Sequence, residues 1–109
     1  MKVDEFNNVV VEQLEKCTNV LIKKASEYST EDRLHNFKQA AKLQNTTIQN
    51  AIAGMMVKHT VSVYDMCRSE ESYPKALWSE KITDHINYLI LLQAVLEEQD
   101  MLVKGNSRE

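Results

Sequence analysis

The scarcity of turn-forming residues is the feature that most constrains this fold. The 109 residues include only two glycines and one proline. A β-rich protein needs these residues at many positions, because glycine supplies positive φ and proline fixes the backbone of tight turns. Apolar residues instead recur at intervals of three and four, the period of an amphipathic helix. The sequence therefore predicts an all-α fold. Its length fits a single domain over residues 1–104, with a frayed tail at 105–109.

Polar breaks divide the periodic pattern into four segments, which predicts a four-helix bundle. Ser29 or Thr30 is a candidate cap for the second helix, and Thr47 for the third. Pro74 suits the first turn of the fourth helix, and Gly105 suits the position just after its end. The predicted helices span residues 4–27, 31–43, 47–68 and 74–103.

The distribution of apolar residues predicts which surfaces are buried. The first helix carries an apolar face, and residues 88–96 of the fourth are apolar nearly all round. A helix that is apolar on every side is buried. A small four-helix domain cannot cover this long, nearly all-apolar final helix alone, so a homo-oligomer is expected. Gly54 interrupts the third helix, where glycine is usually kept for close approach of a backbone or ligand.

Charge and composition exclude several classes of function. The net charge is −3 and the basic residues are interleaved with acids, so a duplex nucleic acid is not an expected partner. Residues 1–10 lack the pattern of a signal peptide, and residues 88–96 are far shorter than the roughly 20 residues of a membrane span. Cys17 and Cys67 are interpreted as reduced, buried thiols, and the protein as cytoplasmic with no membrane partner.

Two polar stripes are the main candidates for function. Glu80, Asp84 and Asn87 are spaced i, i+4, i+7 on the fourth helix, and their column continues into core-type residues. The third helix repeats that spacing with Lys58, Ser62 and Asp65. An antiparallel pairing of the two helices would gather one internal polar cluster, with Lys58 opposite Asp84, Ser62 opposite Glu80, and His59 facing His85. Its predicted members are Lys58, His59, Ser62, Asp65, Glu80, Asp84, His85 and Asn87.

Three interpretations of these stripes remain open: a buried ion-pair network that fixes helix register, a ligand or metal site, or a solvated charge run. Other candidate residues lie nearby in the sequence. Arg33, His35 and Lys38 surround the start of the second helix, where they either hold a phosphate or form a solvated first turn. Tyr73 and Trp78 either stack on a base or form a core or oligomer contact.

The segments that carry these residues resemble a family of small phage and prophage proteins described as MazG-like, or as a nucleotide-modification-associated domain. The resemblance covers about residues 21–96 and is looser toward the enzymatic all-α nucleoside triphosphate pyrophosphohydrolases. The resembling runs are EYSTEDRLHNFKQAAKLQ, GMMVKHTVSVYDM and WSEKITDHINYLILLQAVL.

The resemblance implies a nucleotide site that departs from the enzymatic pattern. Those enzymes hold Mg²⁺ with ExxE on one helix and ExxD on a later one. Glu80 and Asp84 match two of the acids, as candidate catalytic residues and metal ligands, but Lys81 stands where a second metal-binding glutamate is usual. Lys58 and its neighbours replace the earlier acidic pair. A lysine supplies positive charge without activating water as a metal does.

The expectation is therefore a MazG-like domain that binds a nucleotide or nucleotide-derived phosphate ligand in the polar cluster, with hydrolysis weak or absent and Mg²⁺ as the one candidate cofactor. Two alternatives stay open. The first is a Mg²⁺-dependent (d)NTP pyrophosphohydrolase. The second is a non-enzymatic phage protein that inhibits or sequesters a component or signal of host defence.

Overall fold

Four α-helices make up the described chain in a computed structural model, which describes residues 1–27 and 31–107, with side chains for 1–23 and 31–105. No strand occurs among these residues, so the predicted all-α class is confirmed. The helices are α1 (Val3–Glu27), α2 (His35–Gln44), α3 (Ile48–Arg68) and α4 (Lys75–Ser107). The predicted Tyr28-Ser29-Thr30 break lies outside the described residues.

The start of α3 follows from its capping residue. The hydroxyl of Thr47 accepts a hydrogen bond from the backbone N–H of Asn50 at 3.1 Å, which satisfies one of the free N–H groups of the first turn. The chain reaches this cap through Asn45, whose φ of 53° closes α2 in the left-handed conformation. Pro74 accepts the first backbone bonds of α4, from the N–H groups of Leu77 and Trp78. The predicted starts of α3 and α4 are therefore correct to within one residue.

Two predicted helix ends are wrong. Residues 31–34 form a turn, and α2 begins at His35, because the side chain of Asp32 accepts from the N–H of Leu34 and its carbonyl accepts from the N–H of His35. That pattern closes an Asx turn before the helix. Helix α4 does not stop at Lys104-Gly105 but continues through Gly105 to Ser107, and Gly105 has no positive φ.

The hydrophobic core lies where α2, α3 and α4 meet. Leu34, Phe37, Ile52 and Val95 form its buried centre. Partly buried side chains extend it along α3 and α4, namely Ile48, Met55, Met56, Tyr88, Leu91 and Leu92. This core holds the α3–α4 hairpin together and fixes the turn before α2 against it.

Helix α1 packs on α4 through a mixed contact. The side-chain amide of Gln13 donates to the hydroxyl of Thr83 at 2.8 Å, and Lys16 donates to Ser79 at 3.1 Å. Thr83 and the neighbouring Cys17 are buried. Most of the apolar face of α1 stays uncovered, with Phe6, Val10 and other residues exposed.

In the isolated chain, therefore, the apolar face of α1 and part of the apolar segment of α4 are not buried. Leu89, Ile90 and Leu96 are also exposed within the segment 88–96. The physical reason is the arrangement of the helices: among the described residues, the backbones approach closely as the pairs α1–α4, α2–α3 and α3–α4 and in no other pair of helices. The radius of gyration is 17.0 Å, against about 13 Å for a compact domain of this length.

Three smaller expectations are also resolved by the structure. Gly54 is exposed, and a Cβ built on it would meet nothing within 4 Å, so it does not mark a close approach. Both cysteines are free, but only Cys17 is buried, since Cys67 lies on the exposed side of α3. Within the described ranges, no helix combines the length and the hydropathy that crossing a membrane requires.

Candidate ligand cavity

A partly enclosed cavity of about 180 Å³ brings together five of the predicted site residues. We call it the inner cavity. Four segments build it: the second half of α1, the turn before α2 with the first turn of that helix, the middle of α3 and the first half of α4. Its polar lining is Arg33, Lys58, His59, Asp84 and Asn87, and its remaining walls are Val20, Leu21, Phe37, Tyr88 and Leu91.

One face of α4 supplies the longest wall of the inner cavity. Asp84, Asn87, Tyr88 and Leu91 lie at i, i+3, i+4 and i+7, so their side chains project from the same side of the helix. Tyr88 completes this face, although sequence reasoning had not selected it. The same spacing that identified Asp84 and Asn87 contained the signal for Tyr88.

Asn87 is the most unusual residue of the inner cavity. Its side chain is 5% exposed. Both polar atoms, Nδ2 and Oδ1, are buried and form no hydrogen bond within the described residues. A buried polar group without a partner costs about 1–3 kcal/mol, so most such groups in folded proteins are paired. The amide of Asn87 is therefore a buried donor and acceptor without a partner in the wall of the inner cavity.

The charged residues set the electrostatic character of the inner cavity. Arg33 and Lys58 contribute two positive charges, against the single carboxylate of Asp84. Lys58 is exposed, so it lies at the opening, whereas Nη1 of Arg33 is buried. The exposed ammonium of Lys58 at a small concave site can pair with an anionic ligand.

His59 and Tyr88 form an aromatic wall. Their ring centroids are 4.8 Å apart, and the ring planes are inclined at 33°. His85, which was predicted to face His59, instead contacts the hydroxyl of Thr60 at 2.9 Å through Nε2. In both contacts, the residue of α4 lies a few positions later in the chain than the predicted antiparallel pairing of α3 and α4 would place it. The packing of side-chain ridges between the helices sets this register.

The other predicted residues lie away from the inner cavity. Glu80 and Asp65 are exposed, and each lines a separate open groove. Ser62, Lys81 and His85 are half-buried and do not line the inner cavity. The two stripes thus converge only in part.

The cluster predicted at the start of α2 is also divided. Arg33 lines the inner cavity, but His35 and Lys38 line a broad open groove of about 1200 Å³ beside the α2–α3 corner. Lys38 forms ion pairs with Asp32 at 2.6 Å and with Glu98 at 2.7 Å. The hydrogen bond from Lys38, together with the N–H of Leu34, lowers the pKa of Asp32 below its usual range. Hydrogen bonds to Asp32 and Glu98 raise the pKa of Lys38. Because Glu98 belongs to α4, this lysine links α2 to α4.

A second groove contains the predicted aromatic pair. Tyr73 and Trp78 pack edge to face, with centroids 6.1 Å apart, and line a groove of about 540 Å³ between α1 and the start of α4. Both rings are half-buried. They lie outside the inner cavity, so neither ring stacks on a group bound there.

The acidic residues do not build an evident metal centre. Glu80 and Asp84 line one shallow groove, but no group of three His, Cys, Asp or Glu side chains placed to hold a metal occurs among the described residues. Mg²⁺ is an oxygen-seeking ion that binds one or two protein carboxylates together with substrate phosphates. A magnesium ion at Glu80 and Asp84 stays a prediction, and the positive charge of the inner cavity comes from side chains.

Comparison of the chain with models of protein families, with curated proteins and with solved structures gives no match.

Proposed function

We propose that this chain is a cytoplasmic nucleotide-binding helical domain of the MazG-like, phage-type kind, with hydrolysis weak or absent. The observation that carries the proposal is the inner cavity itself, which Arg33, Lys58 and Asp84 line and beside which the amide of Asn87 is buried without a partner among the described residues. A nucleotide offers the matching chemistry, because its phosphates attract cations while its sugar and base carry donors and acceptors.

The size of the inner cavity defines how such a ligand would enter. Pockets that enclose drug-sized molecules begin at about 300 Å³. The inner cavity measures about 180 Å³, so it accommodates one end of a nucleotide and leaves the other at the surface. The exposed ammonium of Lys58 lies at the opening, where it can pair with the part that remains outside.

The composition of the cavity favours binding over hydrolysis. Lys58 lines it together with Asp84, at the place where the resembling enzymes carry acids. An ammonium neutralises phosphate charge, but it does not lower the pKa of a water molecule as a bound metal does. Asp84 then serves as a hydrogen-bond acceptor for the ligand.

Isothermal titration calorimetry with NTPs, dNTPs, cyclic nucleotides and ADP-ribose tests the proposal, in the presence and absence of Mg²⁺. Saturable binding by at least one of them is expected. Lys58→Met should weaken that binding about tenfold or more, since a charge-assisted hydrogen bond contributes roughly 1.5–3 kcal/mol. Lys42→Met is the matched control, because Lys42 is exposed and lines the groove beside the α2–α3 corner instead. Binding by none of these nucleotides would refute the proposal.

The same samples distinguish the enzymatic alternative. A pyrophosphohydrolase would release pyrophosphate from a bound triphosphate in a Mg²⁺-dependent reaction that Asp84→Ala abolishes. Binding without pyrophosphate release supports the proposal of a binding domain. Rapid Mg²⁺-dependent release would replace it with the enzyme.

We also propose that the protein self-associates through α1 and α4. Phe6, Val10 and Leu14 leave an apolar stripe on α1 uncovered, and Leu89 and Ile90 do so on α4. Contiguous exposed apolar surfaces mark interaction sites. A second copy of the chain offers the same two faces, so each face can cover its counterpart in a symmetric dimer.

A further inference from the structure

The side of α3 that points away from the core carries an apolar surface. Val57, Val61 and Tyr64 are 56%, 51% and 57% exposed. They lie at i, i+4 and i+7, so they share one side of the helix, which we call the outer face of α3. Contiguous exposed apolar surface marks an interaction site. Neither α1 nor α4 contributes to this face, so it is separate from the surface proposed above for self-association.

Gly54 extends the outer face toward the start of α3. It lies three residues before Val57 and is exposed, and a Cβ built on it would meet nothing within 4 Å. Glycine is unfavourable inside a helix, and packing among the described residues gives no reason for one at this position. The missing side chain leaves room for a group from outside the chain.

Two opposite charges flank the outer face on the same side. Lys58 and Asp65 are exposed and lie seven residues apart, so both project to one flank of α3. A parallel copy of α3 would place each of these residues against its own counterpart, and like charges would oppose. An antiparallel copy, related by a two-fold axis at Val61, places Lys58 opposite the partner's Asp65 and Asp65 opposite the partner's Lys58. The charges therefore complement a second copy of this chain in the antiparallel orientation.

We infer that a second copy of the chain docks on the outer face of α3, with the two α3 helices antiparallel about a two-fold axis at Val61. In this arrangement, Val57 meets the partner's Tyr64, and Gly54 faces the partner's Arg68. A chain that also associates through α1 and α4 then assembles beyond a dimer.

The outer face already contains a recess for the partner. An open groove of about 430 Å³ runs along it, lined by Thr60, Val61, Tyr64, Asp65 and Arg68. The guanidinium of Arg68 lies over the ring of Tyr64, 5.5 Å from its centroid, which holds both side chains at one end of the groove. The partner's Val57 enters beside them.

The arrangement brings a carboxylate of the second copy to the inner cavity. Lys58 lines that cavity and is exposed at its opening. Pairing with the partner's Asp65 therefore places an acidic group at the rim. The inference goes beyond the proposed function, because it follows from the outer face of α3 and holds whether or not a nucleotide binds.

Disulfide trapping of the full-length chain tests the position of the axis. Val61→Cys in a Cys67→Ser background should form a covalent dimer with copper phenanthroline in air, because the two Cα atoms at the axis lie within disulfide reach. Cys17 is buried and stays in place. The controls are Val57→Cys in the same background and the native Cys67. The proposed axis separates each of them from its own counterpart by about 12 Å and about 18 Å along the helix, which is too far for a disulfide.

Charge reversal tests the pairing of Lys58 with the partner's Asp65. Measured by sedimentation equilibrium, Asp65→Lys should raise the dissociation constant by about tenfold or more, since it turns two attractive pairs into two repulsive ones. Adding Lys58→Asp restores opposite charges and should return the constant to within about threefold of the starting value. Glu31→Lys is the matched control, because Glu31 is an exposed acid in the turn before α2. All four proteins carry Phe6→Lys, so that association through α1 does not contribute.

The outcomes decide the inference separately from the proposed function. Crosslinking at position 61 but not at 57 or 67, with rescue by the double reversal, supports the antiparallel pairing. No crosslinking at position 61, or equal crosslinking at all three positions, would overturn it. A double reversal as weak as Asp65→Lys alone would overturn the charge pairing and with it the orientation. Nucleotide titration of the same samples reports on the inner cavity independently, because that cavity is formed within one chain.

Discussion

Replacement of Asn87 by leucine should stabilise the unliganded protein. Leucine has a similar size, and it removes a donor and an acceptor that are buried without partners. An unpaired buried polar group costs about 1–3 kcal/mol, and leucine adds a few tenths of a kcal/mol in helix propensity. We therefore expect the free energy of unfolding to rise by about 2 kcal/mol. For a domain of this size, the midpoint of thermal unfolding should rise by roughly 8 °C.

Urea denaturation followed by circular dichroism measures this change, and Asn19→Leu provides the matched control. Asn19 is exposed in the middle of α1, so the same substitution there reports the gain in helix propensity alone. Saturating nucleotide adds a second measurement: at a hundredfold excess over Kd, the wild-type protein gains about 2.7 kcal/mol. The reasoning is refuted if Asn87→Leu is less stable than the wild type, or gains no more than the control.

Two further predictions concern the remaining surfaces of the chain. Lys38→Met should destabilise the protein and reduce its sensitivity to acid. The lowered pKa of Asp32 contributes stability that is present above about pH 4 and is lost as the pH falls through the folded-state value. The drop in unfolding free energy between pH 5 and pH 3 should therefore be smaller in the variant, and urea titrations that give equal drops would contradict the assignment of this ion pair. Phe6→Lys should shift the sedimentation coefficient at micromolar concentration toward that of a monomer, whereas Asn7→Lys should not. A wild-type monomer under those conditions would exclude self-association.

The boundaries of the helices were predictable where a side chain itself makes the capping bond. Thr47 starts α3 because its own hydroxyl accepts from the backbone one turn ahead, so the local sequence suffices. Asp32 offers the same chemistry, but its side chain closes a turn at Leu34, which delays the start of α2. Gly105 follows a basic residue in the pattern of a helix end, yet α4 continues through it. A local signal of this kind cannot show which of two hydrogen-bonding arrangements the chain adopts.

The inner cavity could be predicted only where helical spacing determines it. The spacing from Asp84 to Asn87 places both residues on one face, and antiparallel pairing brings Lys58 to the same cavity. Arg33 lines the cavity because it lies in the turn before α2, and helical periodicity does not predict the path of a turn. Glu80 diverges from the cavity although it belongs to the same predicted column. A column of residues along a helix drifts around the axis, so its members meet a given neighbour over only about two turns.

The amide at position 87 is difficult to explain by stability alone. Asn87 lies on one face of α4 between Asp84 and the apolar Leu91, which packs against the core. Leucine or methionine at position 87 would bury apolar area there without leaving a donor or an acceptor unpaired. A buried polar network that fixed helix register would have to pair the amide with another side chain, and none of the described residues does so. A paired polar contact of that kind does exist elsewhere, between Gln13 of α1 and Thr83 of α4 at 2.8 Å, but among the described residues it does not extend to Asn87. A local departure from the rules of stable packing is typical of a site that completes its hydrogen bonds with a ligand.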